Sequence, residues 1–240
     1  MAATLKRSRT AGLVGALLAL CALSAVTALS AATSRRVVVV MGASVSGGHG
    51  TTPGAAWPEQ MDRRFKKDGL SFSVVNASVG ATRLLTRNDA GRPSALDRQD
   101  RDALAVPGVR TIVLTDVIND IQQPPHQYDP HAIIDGFKEF VSRAHTRGVR
   151  VVATTLPPYN GFPRYEPAGE RCRRAVNGYI RHSNLFDDFL DFDAVLKDPA
   201  DPTRIRPAYD SGDHLHPNDR GHHAVVEALD LRRVETVGVM

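Results

Sequence analysis

The sequence predicts an α/β domain, a parallel sheet with helices on both faces, and three observations carry this. Residues 37–41 read VVVVM, an unbroken apolar run of mostly β-branched residues that suits a strand covered on both sides. Further short runs of this kind alternate with longer amphipathic stretches, the pattern of β-α-β units. Polar residues cluster just after the apolar runs. In a parallel sheet those positions share one edge, the usual ligand-binding edge. The 240 residues are 42% hydrophobic and 23% charged, enough for one well-buried domain. No internal repeat or low-complexity segment divides it.

The first strand stops at Gly42, and Gly42-Ala43-Ser44 puts a hydroxyl at its carboxyl end. Taken alone, Ser44 is either a nucleophile or a turn residue, because Gly and Ser are ordinary turn formers. A Gly-, Thr- and Pro-rich loop runs to Pro53. Trp57, Met61 and Phe65 recur at i, i+4 and i+8, which predicts an amphipathic helix over 57–67 with that stripe in the core. Residues 72–75 make a second strand ending at Asn76, and Gly80 lies in the loop beyond. Residues 84–102 read as polar loop, turning helical up to Leu104, and Pro107-Gly108 is a turn. The third strand is TIVLTDV, 111–117, with Ile118-Asn119-Asp120-Ile121 at its end. A Pro-rich loop, 122–130, leads to a helix over 133–146 in which Ile133, Phe137, Phe140, Val141 and Ala144 share a face. Arg147-Gly148 closes it, and the fourth strand is 149–155. The loop 156–167, with four prolines and three aromatics, is too long for a simple connector and suits a cover over a site. A helix over 170–182, a fifth strand at 189–192 and a loop at 199–212 follow. A last helix after DHLHPNDRGHH runs through Leu229.

The first 33 residues stand apart. Lys6, Arg7 and Arg9 precede an uncharged apolar stretch, 11–32, with small residues suited to cleavage near Ala28 and Ser30. This reads as a secretory signal peptide. If retained, it would be a membrane anchor on the extracytoplasmic face, since the stretch reaches the ~20 residues that span a bilayer. A lipoprotein reading at Cys21 is disfavoured by Leu20, where a small residue is wanted. The folded domain is therefore expected over 34–240, in a secreted protein. Removing the leader's three cations turns 30 Lys and Arg against 26 acids into 27 against 26. The domain is near neutral and gives no basis for nucleic-acid binding. With Cys21 in the leader, Cys172 has no partner for an internal disulfide. Its arginine neighbours favour a thiolate, but nothing else marks it.

Ser44, Gly80 and Asn119 follow three different strands, and Asp213 and His216 precede the last helix; one sheet edge would gather them. The chemistry such a set supports is acyl transfer. A serine hydroxyl needs a base. His216 is the candidate, because histidine titrates near neutrality. Asp213, three residues earlier, is placed to accept from the other ring nitrogen. The N–H groups of Ser44 and Gly80 and the side-chain amide of Asn119 are the candidate oxyanion donors.

This set resembles the SGNH hydrolases, also called the GDSL esterase/lipase family. The family's signature Ser, Gly, Asn and His match Ser44, Gly80, Asn119 and His216 in order, and its Asp three residues before the His matches Asp213. The most specific pieces are the run 213–218 and the IND of 118–120; Thr155-Leu156-Pro157-Pro158 resembles the family's fourth block. The resemblance spans 37–229. It implies a flavodoxin-like three-layer α/β/α sandwich and a serine esterase working through an acyl-enzyme, without metal or cofactor. A monomer acting on a small-molecule or polysaccharide ester with short acyl groups is expected.

Two positions depart from the family pattern. Ala43 replaces the usual Asp of the first block, and Val117 replaces the usual Gly two residues before Asn119. They bear on efficiency and substrate, and they motivate the alternative of an exterior binding protein that kept the fold and lost catalysis. Retention of all five site residues argues against it. A dinucleotide site is disfavoured because the glycine spacing is not GxGxxG and the second strand ends in Asn76 rather than an acid. No Gly-Lys-Ser/Thr is present for a P-loop. Asp213, His214, His216, Asp219, His222 and His223 crowd together as zinc ligands can. The dyad accounts for two of them, His222 and His223 read as solvated residues at a helix start, and His214 reads as a rim residue. Asp120 is expected to brace its loop and orient Asn119 rather than act as an acid. Arg83 is either a surface charge or a contact for a polar substrate. The loops 85–98 and 157–167 are expected to shape the acyl and alcohol pockets.

Overall fold

The structure is a computed structural model that describes residues 36–235. The expected leader lies outside these residues. Among those described, no helix is long and apolar enough to cross a membrane.

Five strands form one parallel sheet in the order β2-β1-β3-β4-β5. They are β1 (Arg36–Met41), β2 (Phe72–Asn76), β3 (Val109–Leu114), β4 (Arg150–Thr154) and β5 (Asp188–Leu190). This is the flavodoxin-like order, whose direction of winding reverses between β1 and β3. The valine run explains why β1 is central. Val38, Val39, Val40 and Met41 are all fully buried. Successive side chains point to opposite faces, so Val37, Val39 and Met41 join one core and Val38 and Val40 the other.

The helices complete those two layers. On the Val38/Val40 face lie α1 (Trp57–Lys67), α6 (Phe192–Leu196), α7 (Asp219–Ala228) and α8 (Leu231–Glu235). On the other face lie α2 (Ala95–Gln99), α3 (Ile118–Gln122), α4 (Pro130–His145) and α5 (Pro167–His182). Local chemistry starts these helices. Asp129 caps α4 by accepting the His131 N–H, and Asn218 caps α7 by accepting from Arg220 and Gly221. Proline occupies the first turn of α1, α4 and α5, where its missing N–H costs nothing. The three-layer sandwich expected from the sequence is the one observed.

The differences are local. β3 ends at Leu114 rather than at residue 117, because Asp116 takes a left-handed backbone (φ 62°) that no strand can continue through; α3 begins just beyond it. The polar loop expected over 84–102 is interrupted by α2, started by a capping box in which Ser94 and Asp97 satisfy each other's N–H groups. A π-helical turn, Asp100–Leu104, follows. β5 stops at Leu190, because Asp191 turns its carboxylate to the Ala194 N–H and starts α6. The last helix ends one residue before Leu229, and α8 adds a further turn.

Candidate active site

β1 ends at Met41 and the chain turns at once. Gly42 is required there by close approach. A Cβ would stand 2.5 Å from Thr115 Cγ2, 2.7 Å from Ser46 Oγ and 2.9 Å from Asp116 Oδ2. Ser44 is half-buried between buried Ala43 and Val45. The turn is held from all sides. Asp116 Oδ2 accepts the Ala43 N–H (2.6 Å) and the Ser46 N–H (2.9 Å). Asn76 Nδ2 donates to the Ser46 carbonyl at 2.8 Å, and the Trp57 indole N–H donates to Ser46 Oγ at 3.1 Å. The Ser44 carbonyl accepts the His49 N–H at 2.9 Å, while the Ser44 N–H has no acceptor among the described residues.

The histidine arrives from the segment before α7. His216 is buried, and its Nε2 lies 2.8 Å from Ser44 Oγ across 172 residues of sequence. Its Nδ1 lies 2.5 Å from Asp213 Oδ2. The other Asp213 oxygen accepts the backbone N–H groups of Leu215 and His216, each at 2.9 Å, and the Ser211 hydroxyl at 3.2 Å. Partial burial on its own would raise the Asp213 carboxyl. The hydrogen bonds from the His216 N–H, the His216 ring and the Leu215 N–H outweigh it and hold the group down at about 2. Asp213 therefore stays ionised at any pH at which the imidazole needs an acceptor.

Asn119 sits in the first turn of α3, buried, and its Nδ2 donates to the Thr82 carbonyl at 2.8 Å while its Oδ1 accepts from Gln122 at 2.8 Å. One amide hydrogen remains unassigned. The Gly80 loop is tied to the same corner: the Val79 N–H donates to the Gly42 carbonyl at 3.1 Å, and the Thr82 hydroxyl, which donates to the Val79 carbonyl at 2.8 Å, lies 3.2 Å from the Gly42 carbonyl. The Gly80 N–H has no acceptor among the described residues, and its carbonyl accepts from Arg92. Ser44, Gly80 and Asn119 thus belong to one hydrogen-bonded corner, linked through Gly42 and Thr82.

A family model for GDSL-like lipases and acylhydrolases matches residues 40–224. The chain belongs to the GDSL-like lipase/acylhydrolase family. Solved structures agree in fold. An aryl esterase from M. smegmatis is 14% identical, with a TM-score of 0.65, covering 83% of this chain and 99% of that one. A carbohydrate acetylesterase from Sinorhizobium meliloti is 17% identical, with a TM-score of 0.62 and coverage of 80% and 95%. A GDSL-like lipase from Bacteroides thetaiotaomicron VPI-5482 is 17% identical, with a TM-score of 0.63 and coverage of 84% and 88%. No curated protein matches the chain.

The GDSL-like domain contains supporting residues that the sequence left open or placed elsewhere. Arg83 is neither a surface charge nor exposed to a substrate. It is buried and donates to the carbonyls of Asp120, Pro124 and Pro125. Asp120 braces a loop, as expected, but the loop is the one beyond β2: its oxygens accept the Leu84 and Leu85 N–H groups at 2.6 and 3.0 Å. Complete burial pushes its carboxyl up to about 6 against the pull of those donors and of Arg83. Arg98 is also buried and donates to Gly42 O at 2.9 Å and to Ala77 O at 2.5 Å, clamping the ends of β1 and β2. Such a buried arginine at the end of a polar stretch carries no sequence signal that separates it from a surface charge.

His222 corrects a sequence expectation. It is buried rather than solvated, because the first turn of α7 faces α1. Its Nδ1 accepts the Trp57 N–H at 3.1 Å, and burial lowers its pKa to about 4. Cys172 is likewise buried, on the inner face of α5, and burial pushes its thiol up to about 11, against the expected effect of its arginines. His214 takes a left-handed backbone (φ 67°), lies 2.6 Å from Asp210 and packs over Gly161, joining the rim to the loop after β4. For a metal, the ligand atoms of His49, Asp213 and His216 lie within 4.8 Å of one another. Asp213 Oδ2 and His216 Nδ1 already face each other, however, and His216 Nε2 faces Ser44. An ion there would have to displace those bonds.

Proposed function

We propose that the protein is a secreted serine esterase that cleaves carboxylic esters through an acyl-enzyme. The observation that carries this reading is the unbroken line from Ser44 Oγ through both nitrogens of His216 to Asp213, at 2.8 and 2.5 Å. Ser44 Oγ attacks the ester carbonyl as His216 Nε2 takes its proton. Asp213 holds Nδ1–H, fixes the tautomer and stabilises the imidazolium. The Ser44 N–H, the Gly80 N–H and the remaining Asn119 amide hydrogen receive the oxyanion. His216 returns the proton to the leaving alcohol, and water, activated by the same base, releases the acid.

Short acyl groups on soluble or polysaccharide substrates fit best. The large apolar side chains exposed among the described residues are Val75 in β2 and Val79 just beyond it, a small area for seating a long chain. The resemblance in fold to a carbohydrate acetylesterase is consistent with this. The leader read in residues 1–33 supports export, and the domain proposed for catalysis is 34–240, acting as a monomer.

A fluorophosphonate probe tests the reaction class. Labelling at Ser44 that is lost in Ser44→Ala is expected; a folded protein that takes no label contradicts the proposal. Nitrophenyl esters of rising chain length, run beside an acetylated sugar, test the acyl preference, with activity expected to fall as the chain lengthens.

A further inference from the structure

We infer that Asp116 is a positioning residue for Ser44, and that it delivers from the end of β3 the carboxylate that the first block lacks at Ala43. The inference rests on the serine-esterase reading and adds a residue to it. One oxygen, Oδ2, accepts the N–H of Ala43 at 2.6 Å and the N–H of Ser46 at 2.9 Å. These two donors bracket Ser44 on both sides. The Ser44 N–H between them is left without an acceptor among the described residues, free to face an oxyanion.

Three further features fit a built contact. Asp116 holds a left-handed backbone (φ 62°), a conformation that carries a steric cost for any residue with a Cβ and that Asp tolerates better than most. Gly42 leaves the room this carboxylate occupies, since a Cβ there would stand 2.9 Å from Asp116 Oδ2. The second oxygen is engaged as well. Thr115 Oγ1 lies 3.1 Å from Asp116 Oδ1 and accepts from Thr154 Oγ1 at 2.8 Å. Buried Thr154, Thr115 and Asp116 therefore lock the ends of β4, β3 and β1 together. The physical consequence is angular: with both flanking N–H groups fixed on one oxygen, the turn has little freedom, and Ser44 Oγ stays 2.8 Å from His216 Nε2.

Two substitutions separate positioning from general support. Asp116→Gly removes the carboxylate while easing the left-handed backbone. Asp116→Asn keeps an acceptor oxygen of the same shape. For Asp116→Gly, kcat and the rate of fluorophosphonate labelling at Ser44 are expected to fall together, by ~10- to 100-fold, the scale of a small misplacement of a reacting group. KM should stay within about threefold, as for an interaction felt mainly in the transition state. Asp116→Asn should recover kcat to within about fivefold of wild type, still on the scale of a bond retained rather than lost. If the glycine variant does not fold, Asp116→Ser, too short to reach both N–H groups, takes its place. Wild-type kcat and labelling rate in the glycine or serine variant would overturn the inference, as would an asparagine variant no better than either. A wild-type protein that takes no label at Ser44 removes the esterase reading and this one with it. A labelled wild type with an equally reactive Asp116→Gly removes this one alone.

Discussion

The two arms of the site are built in different ways. Asp213 and His216 are three residues apart, and Asp213 satisfies itself within its own segment, accepting from the Ser211 hydroxyl and from the backbone of Leu215 and His216. The arm proposed to supply the nucleophile and the oxyanion donors has no such local solution. Ala43 depends on Asp116, 73 residues away; Leu84 depends on Asp120, 36 away; and Asn119 depends on Thr82, 37 away. Asp213 is part-exposed, whereas Asp116, Asn119 and Asp120 are buried. The difference predicts that cutting the histidine arm costs chemistry alone, whereas the other arm also helps to hold the sheet edge together. An unpaired buried N–H carries its full desolvation cost.

The largest expected effect breaks the local arm. His216→Ala should lower ester hydrolysis on the order of 10⁴-fold or more with little change in melting temperature, measured by steady-state kinetics beside a thermal melt. Asp213→Asn should follow at ~10²- to 10⁴-fold, again with a melt close to wild type. A large drop in melting temperature for either would erase the contrast between the arms.

Asn119→Ala should lower kcat by ~10²–10³, as for one oxyanion donor, and should also cost stability, because Thr82 O and Gln122 Nε2 lose their partner. An unchanged kcat would take Asn119 out of the oxyanion site. Asp120→Ala leaves the buried Leu84 N–H unpaired, at about 1–3 kcal/mol, and the part-buried Leu85 N–H as well. Its melting temperature should therefore fall by several degrees, at roughly 2–4 °C per kcal/mol for a domain of this size. If Asp120→Ala melts like wild type, the loop beyond β2 does not need its brace.

The smallest effect is one of pH, and two buried groups pull it in opposite directions. His222 binds a proton at about 4 in the folded protein and near 6.5 when unfolded. Its contribution is therefore present above about 6.5 and lost as the pH falls towards 4. Asp120 is raised to about 6 when folded, against about 3.9 unfolded. The folded state holds that proton more tightly, so its contribution is present at acid pH and lost as the pH rises through 6. Between pH 7 and pH 4.5 the melting temperature of His222→Gln should fall less than that of wild type, and that of Asp120→Asn should fall more. Equal falls in all three would mean that neither group is linked to folding in this range.

Much of this was legible along the chain. The valine run marked β1 because a strand buried on both faces needs apolar residues at every position. Trp57, Met61 and Phe65 marked α1 because their spacing makes one stripe. Asp213 and His216 stood out because a contact over three residues leaves its spacing in the sequence. Arg83, Arg98 and His222 were not legible, since a buried charge or a buried histidine has the same letter as a solvated one. Burial is set by which helix packs over it.

Read alone, the sequence determined the strand order's raw material, the two helical faces and the identity of the five residues proposed for chemistry. The first two are written in residue type and period, and the five residues in motifs that resemble those of a known family. Only the tertiary structure decided what holds Ser44 in place. Ala43 looks like a missing carboxylate in the chain, yet the Ala43 N–H meets the carboxylate of Asp116 at 2.6 Å. That contact exists because parallel strands β1 and β3 lie side by side with their carboxyl ends on one edge. A hydrogen bond between neighbouring strand ends has no fixed sequence spacing from which to be read.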